Sequence, residues 1–189
     1  KPKEVRTKIS EELNIDLNTK LILFTAKNFK TSGVKEVLDI CSSLNYQDFK
    51  IIITGEKKQI TALQFQLPKY QNLADKIILL EDYKNIDDLF LASDIFLLPT
   101  YNKTFASNVL KAMYCECVVF LSIENDSKEI VDVFASMDSP NDPSTAFKID
   151  AILLDNDEIE KIKKENKKVA QEATLQSNLE KFNYIIGNV

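Results

Sequence analysis

Short apolar segments alternate with polar turns and amphipathic stretches along most of the chain. Each apolar segment has the length of a strand and is apolar at consecutive positions, which indicates strands buried on both faces. The predicted strands are Lys20–Ala26, Lys50–Thr54, Lys76–Leu80, Asp94–Leu98 and Cys117–Ser122. The helices predicted after them are Gly33–Leu44, Gln59–Gln66, Ile86–Ala92, Thr104–Tyr114 and Ser127–Phe134.

This alternation predicts an α/β domain with a Rossmann-like parallel sheet and helices on both faces. In such sheets, ligands bind outside the carboxyl ends of the strands. The loops that matter for function are therefore those that follow Thr25, Thr54, Leu80, Leu98 and Ser122.

From about residue 140 the pattern becomes helical, and residues 140–189 are expected to form a carboxyl-terminal helical segment. The predicted helices are Thr145–Leu154, Asp157–Ala173 and Ser177–Ile186. Lysines and glutamates interleave in the middle helix, which favours a solvated face with i,i+4 ion pairs over a basic patch. The last helix presents more apolar surface than a terminal helix usually needs. We therefore expect that this helix does not complete the core of its own domain and that its apolar surface is exposed or covered by a second copy.

Composition narrows the functional classes. The chain has 189 residues, which suits one domain, and a formal charge of −5, which argues against a general nucleic-acid binder. It has no histidine, which excludes histidine-based triads and histidine metal sites. The three cysteines cannot all pair and favour a reducing compartment, and Cys115 and Cys117 are expected to be buried packing groups. No apolar run reaches the roughly 18 residues of a membrane span.

Two loops are candidate anion sites. The segment 25–33 follows a strand and leads into a helix, whose free N–H groups could hold a phosphate together with Lys27 and Lys30. It lacks the glycine patterns of dinucleotide-binding and P-loop proteins, so an ordinary strand-to-helix loop stays open. The second candidate loop is Tyr101–Phe105, which leads into the helix predicted at Thr104–Tyr114. Lys103 and Lys111 lie eight positions apart in this segment, which places them roughly on one side of a helix. They either hold a phosphate or are simply solvated.

The order of these pieces resembles a known family. The segments KLILFTAKNFKTSGVKEVLDICSSL, KIIITGE and KIILLEDYKNIDDLFLASDIFLLPTYNKTFASNVLKAMYCECVVFLS resemble the carboxyl-terminal half of GT-B retaining glycosyltransferases of family 4. The similarity is greatest to the lipopolysaccharide-core glucosyltransferases and covers about residues 4–187. The resemblance implies that residues 1–189 form the donor-side domain and that the amino-terminal acceptor half is absent. The chain begins without methionine, which agrees with a piece of a longer protein.

The resemblance also implies which positions carry the chemistry. The diphosphate-clamping basic pair of the family corresponds to Thr31 and Ser32, and the two glutamates of its E-x7-E motif correspond to Lys103 and Lys111. Three family glycines correspond to Thr25, Ala106 and Glu116. Because lysine donates but cannot accept hydrogen bonds, no catalytic residue is assigned. The donor-binding candidates are Lys27, Lys30, Ser32, Gly33, Thr104 and Phe105.

The function implied by the resemblance is transfer of a hexose, with glucose as the expected sugar, from a UDP-sugar to a lipopolysaccharide or cell-envelope polysaccharide. Neither metal nor cofactor is expected beyond the nucleotide-sugar, and the acceptor saccharide would bind through the absent half. The expected location is the cytoplasm, with peripheral attachment to the inner membrane through that half. The alternative is a catalytically degenerate domain with a binding or assembly role, which the substitutions at four expected polar positions favour.

Overall fold

The sheet has six parallel strands in the order β3-β2-β1-β4-β5-β6. The computed structural model describes the backbone of residues 2–187 and the side chains of residues 2–132 and 134–177. The strands are β1 (Lys20–Thr25), β2 (Phe49–Gly55), β3 (Ile77–Glu81), β4 (Ile95–Leu98), β5 (Val118–Ser122) and β6 (Ser136–Met137). The α/β prediction is confirmed.

The helices occupy the connections between the strands and both ends of the chain. They are α1 (Pro2–Leu13), α2 (Phe29–Ser32), α3 (Val34–Ser42), α4 (Lys57–Gln64), α5 (Ile86–Ala92), α6 (Ser107–Tyr114), α7 (Ser144–Leu154) and α8 (Asn156–Gly187). Short 3-10 helices add Leu67–Lys69, Gln71–Leu73, Asp126–Ile130 and Val133–Ala135. The crossovers from β1 to β3 and from β4 to β5 run in opposite directions, so right-handed connections place α3 and α4 on one face and α5 and α6 on the other.

The four central strands form the core because they are apolar at consecutive positions. Ile51, Ile52 and Ile53 in β2 are fully buried, as are the apolar residues in the middle of β1, β4 and β5. The strand β3 lies at one edge, and its residues are half-buried or exposed. Burial on both faces explains why these strands read as continuous apolar runs rather than as alternating ones.

Several predicted boundaries were wrong, each for a local reason. The helix predicted at Gly33–Leu44 is α3, which ends two residues earlier than expected, and the unpredicted helix α2 precedes it, with Gly33 at a φ of +90° between the two. The segment predicted as a helix at Ser127–Phe134 forms two 3-10 helices. The two predicted terminal helices are one helix, α8, since neither proline nor glycine interrupts residues 174–176. The side chains of residues 178–187, which carry most of the apolar content expected there, lie outside the described residues.

Helix α8 is fastened to the amino-terminal edge of the sheet by a partly buried ion pair. Lys163 Nζ lies 2.7 Å from Asp94 Oδ1, and the two side chains are 14% and 15% exposed. The second carboxylate oxygen of Asp94 accepts a hydrogen bond from the Leu21 amide at 2.9 Å. Asn166 adds a bond of 2.8 Å from its side-chain amide to the Cys117 carbonyl. These contacts link α8 to the starts of three neighbouring strands.

Removal of the Lys163 ammonium leaves the Asp94 carboxylate partly buried without its ion-pair partner. We expect Lys163→Met to lower the free energy of unfolding by about 2–4 kcal/mol, the range for breaking a buried pair after allowance for its residual exposure. Chemical denaturation measures the change. Lys164→Met, at an exposed neighbouring position, is the matched control and should change stability by less than about 0.5 kcal/mol. Equal effects of the two substitutions would contradict the role of the pair.

The three cysteines are free thiols packed in the core, as predicted for Cys115 and Cys117. Burial raises the pKa of Cys115 to about 11 and raises the pKa values of Cys41 and Cys117 further.

Because the thiolate is the reactive form, the folded protein should consume almost no Ellman's reagent at a pH of about 8 and should react fully when it is unfolded. Rapid labelling of one thiol in the native protein would contradict this packing.

Candidate functional site

The candidate site lies where β1 and β4 are adjacent and their connections diverge. Here the loop after β1 meets the loop after β4. The Tyr101 amide donates to the Thr31 carbonyl at 2.9 Å, and the Thr100 hydroxyl lies 3.4 Å from the same carbonyl. The two loops that the sequence marks as candidate anion sites are therefore in direct contact. Such divergence points are where open α/β sheets bind ligands.

Gly33 makes this contact possible. A Cβ atom at this position would lie 2.0 Å from the Pro99 carbonyl oxygen, and the φ of +90° already disfavours any other residue. Glycine thus permits the chain to turn from α2 into α3 while the loop after β4 packs against its backbone. Gly33 and Ser32 are buried by this packing, whereas Lys27 and Lys30 are exposed.

The short helix α2 is fixed at its start by two side chains. The side-chain oxygen Oδ1 of Asn28 accepts from the Thr31 amide at 3.1 Å, and Gln59 Oε1 accepts from the Phe29 amide at 2.9 Å. The Phe29 ring is buried and lies so close to Gly55 that a Cβ there would approach it to 2.5 Å. Asn28 and Gln59 therefore hold the backbone of the segment that carries Lys27 and Lys30, and the buried Phe29 ring packs this segment against Gly55.

Lys103 and Lys111 do not share a helix face. Helix α6 begins at Ser107, so Lys103 lies in the loop before it, and the prediction of one helix over Thr104–Tyr114 was too long at its start. Lys111 Nζ lies 2.9 Å from Asp87 Oδ1 and 5.9 Å from the centroid of the Phe90 ring. Lys103 is exposed and forms no ion pair with any residue whose side chain is described.

The loop that contains Lys103, Thr104 and Phe105 is braced by the segment after β5. Asn125 is fully buried, and its side-chain amide donates to the carbonyls of Asn102 at 2.8 Å and Thr104 at 2.9 Å. The Asp126 amide donates to the Lys103 carbonyl at 2.8 Å. The carbonyl groups of three successive loop residues are thus fixed.

Ser127 completes the brace. Its hydroxyl oxygen accepts from the Ala106 amide at 2.9 Å, and its own amide donates to Asn125 Oδ1 at 2.9 Å. Neither Asn125 nor Ser127 was predicted from the sequence as a site residue. The sequence feature that could have identified them is their position shortly after the predicted strand Cys117–Ser122, at the carboxyl edge of the sheet. A polar residue that is buried there needs hydrogen-bond partners, which a neighbouring loop can supply.

The three positions at which the resemblance implies glycine differ in their backbone. Glu116 has a φ of +65°, the left-handed conformation that glycine adopts most easily, and its carboxylate lies 3.3 Å from Lys167 Nζ. Ala106 has an ordinary φ of −100°. Thr25 is a buried strand residue paired in register with Thr54. Of these three positions, Glu116 alone has the left-handed backbone conformation that a glycine would favour.

Tyr101 connects the loop after β4 to helix α3. Its hydroxyl donates to Glu36 Oε1 at 2.8 Å, and this hydrogen bond to a carboxylate raises the pKa of Tyr101. Its ring is 54% exposed and stands beside Thr31. The aromatic ring therefore forms a fixed wall next to the candidate donor loop.

The six-stranded parallel sheet has the Rossmann-like strand order, and the carboxyl-terminal domains of GT-B glycosyltransferases share this fold. The family model described as "Glycosyl transferases group 1" matches residues 5–169. The chain belongs to this family. The part of the chain that the structure describes contains no helix both long and apolar enough to cross a membrane.

Solved structures share the fold at low identity. Sucrose-phosphate synthase from Thermosynechococcus elongatus superposes with a TM-score of 0.80 and 15% identity, over 97% of this chain and 49% of that one. The carboxyl-terminal domain of the group 1 glycosyltransferase LpcC from Francisella tularensis superposes with a TM-score of 0.74 and 19% identity, over 88% of this chain and 91% of that domain. Anabaena HepE, solved with UDP and glucose, has a TM-score of 0.80 and 14% identity over 96% and 52% of the two chains.

A curated relative supports the family at the level of sequence. The N-acetyl-alpha-D-glucosaminyl L-malate synthase of Bacillus anthracis is 24% identical over 110 residues, which are 58% of this chain and 29% of that protein. The chain thus spans less than a third of this relative and about half of the longer structures it resembles.

Replacement of Asn125 tests the brace. Asn125→Ala leaves two part-buried carbonyls and the buried Ser127 amide without their side-chain partner, and we expect a loss of about 1–3 kcal/mol in the free energy of unfolding. Hydrogen exchange at the Ala106 amide should accelerate more than exchange in the strands. Asn85→Ala, at an exposed asparagine that makes no capping bond, is the control. Unchanged exchange at Ala106 in Asn125→Ala would show that the brace does not hold the loop.

Proposed function

We propose that this chain is the nucleotide-sugar donor domain of a glycosyltransferase. The observation that carries the proposal is the contact between the loops after β1 and β4 at the divergence point, in a chain of the group 1 family. HepE, which has the same fold, was solved with UDP and glucose, and this supports a nucleotide-sugar as the ligand class. The donor proposed here is a UDP-hexose, and glucose is the first sugar to test.

The proposed reaction is transfer of the hexose, with retention at its anomeric carbon, to a lipopolysaccharide or cell-envelope polysaccharide. The acceptor would be held by a second, amino-terminal-type domain. Catalysis would depend on orientation and on stabilisation of the departing diphosphate, without metal or further cofactor. In this chain Lys27 and Lys30, both exposed on the held segment before α3, supply cations for the diphosphate. Thr104, whose carbonyl the brace holds, and the neighbouring exposed Phe105 would border the sugar.

A second candidate function is a binding module that does not transfer sugar, and Lys103 and Lys111 favour it. A carboxylate accepts hydrogen bonds from sugar and ribose hydroxyls, whereas a lysine ammonium only donates. Lys111 is further occupied by its ion pair with Asp87. Such a domain would bind the anionic part of a ligand without recognising the sugar.

Titration calorimetry with UDP-glucose, UDP and inorganic phosphate separates the two functions. Each missing charged hydrogen bond removes about 1.5–3 kcal/mol, so two missing bonds weaken sugar recognition by roughly two to four powers of ten. The binding module therefore predicts that UDP-glucose binds no more tightly than UDP, whereas the donor domain predicts that UDP-glucose binds more tightly than UDP. Micromolar binding of UDP-glucose, clearly tighter than that of UDP, would reject the binding module. Equally weak binding of UDP and phosphate would reject the donor domain.

The double variant Lys103→Glu with Lys111→Glu tests whether the lysines are the cause. If the remaining site is competent, the variant should bind UDP-glucose at least about tenfold more tightly relative to UDP, one restored bond being enough for this. The matched control is Lys161→Glu with Lys164→Glu, which makes the same charge change at exposed positions of α8. An equal gain in the control would mean that net charge, and not the two positions, determines the affinity.

A further inference from the structure

A groove of about 600 Å³ lies between α3 and α4, beside the candidate donor loop. Its floor is apolar and consists of Phe29, Val34 and Leu63, all at most 5% exposed. Its volume falls within the range of pockets that hold one small molecule. Most of the groove lies along α3 and α4, and Lys30, Thr31 and Tyr101 from the loops after β1 and β4 form the side that faces the candidate donor site.

The walls of the groove are fixed before any ligand binds. The Tyr101 ring forms one wall and is held by its amide on Thr31 and its hydroxyl on Glu36. Gln59 lines the opposite side and is held by the Phe29 amide. A ligand that enters the groove therefore does not have to order these side chains, which reduces the cost of binding.

The rim of the groove carries a surplus of positive charge. Lys30 and Lys35 line it, and Lys30 forms no ion pair with any described side chain. Lys35 lies 3.9 Å from Asp39, a loose and exposed contact. The carboxylate that lines the groove, Glu36, accepts the Tyr101 hydroxyl.

Helix α4 extends the same combination of charge and apolar surface. Lys58, Ala62 and Phe65 follow the i, i+4, i+7 spacing of one helix side. Ala62 lines the groove, Lys58 is exposed, and the Phe65 ring is 82% exposed. An apolar floor with lysines around its edge is complementary to a molecule that has an apolar group next to an anion.

We propose that this groove binds a single anionic amphiphile, with its apolar group between α3 and α4 and its phosphate, sulfonate or carboxylate among Lys30, Lys35 and Lys58. The site accepts the ligand as an individual molecule, because the groove is concave and of small-molecule size. The site adjoins the proposed donor site and shares Lys30 with it, while its apolar floor lies outside the donor loop residues assigned to the sugar and the diphosphate.

Two dyes of nearly the same shape test the ligand class. The sulfonate 8-anilinonaphthalene-1-sulfonate and the neutral N-phenyl-1-naphthylamine both fluoresce in apolar surroundings and differ in the anionic group. We expect the sulfonate to bind the folded protein at one site and at least about threefold more tightly than the neutral dye, as one or two exposed ionic contacts would give. Equal affinities would overturn the anionic part of the proposal, and absence of saturable binding of either dye would overturn the whole.

The location is tested by filling the groove. Ala62→Trp should weaken binding of both dyes at least about tenfold, because the indole occupies the space of the apolar group, while Thr61→Trp, at the exposed neighbouring position of α4, should not. The chain has no tryptophan, so each variant carries a single reporter. A blue shift in the emission of Ala62→Trp relative to Thr61→Trp shows that the indole occupies the groove. Equal dye binding by the two variants, with the indole so placed, would overturn the proposal.

The charge contribution is tested at residues outside the candidate donor site. Lys35→Gln with Lys58→Gln should weaken the sulfonate dye about threefold to tenfold, as expected for two exposed ionic contacts, and leave the neutral dye unchanged. Lys84→Gln with Lys164→Gln is the control for net charge. An equal loss in this control would overturn the assignment of the anion to the rim of the groove.

Titration of UDP, run in parallel, keeps this proposal distinct from the donor function. Ala62→Trp should leave UDP binding unchanged, because Ala62 lies on α4 and outside the candidate donor loops. Failure of UDP binding alone would reject the donor function and not the groove, whereas failure of the dye experiments alone would reject the groove.

Discussion

The close approach of Gly33 to the Pro99 carbonyl determines how the carboxyl edge of the sheet is built. No side chain fits in this space, and the positive φ of Gly33 turns the chain from α2 into α3 at the same point. Because the backbones touch, the Tyr101 amide reaches the Thr31 carbonyl, and the loops after β1 and β4 become one structural unit. The candidate donor site and the groove between α3 and α4 both depend on this unit, since Tyr101 and Thr31 belong to it.

The main features of the fold could be predicted from sequence because the determining signal is local. Three consecutive isoleucines in β2, and similar runs in β1 and β5, are typical of strands in the middle of a covered sheet. Helix α1 and the two-residue strand β6 were missed. The first is a polar helix with few buried residues, and the second is too short to give a pattern. Boundaries failed at some helix ends, as at Thr104, where the loop continues and α6 begins only at Ser107.

The site was less predictable because its geometry depends on residues far apart in sequence. The positions of the loops after β1 and β4 followed from topology, and their contact agrees with that reasoning. The partners of the individual side chains did not follow from topology. Spacing alone placed Lys103 and Lys111 on one helix side, but α6 begins at Ser107, and Asp87 from another helix holds Lys111. Likewise, the hydrogen bonds of Asn125 connect the loop after β5 to the loop after β4, and no local sequence pattern predicts such a long-range contact.

The brace limits how the loop after β4 can recognise a sugar. With lysines at 103 and 111, hydroxyl groups would need other acceptors, and backbone carbonyls of the loop are the nearest replacements. The carbonyls of Asn102, Lys103 and Thr104 already accept hydrogen bonds from the brace, which fixes their direction toward the segment after β5. Exposed carboxylates remain on that segment, at Glu124, Asp126 and Glu129. These carboxylates are the charged acceptors nearest in the chain to the brace, and the Thr104 hydroxyl is the acceptor that the loop with Lys103 itself offers.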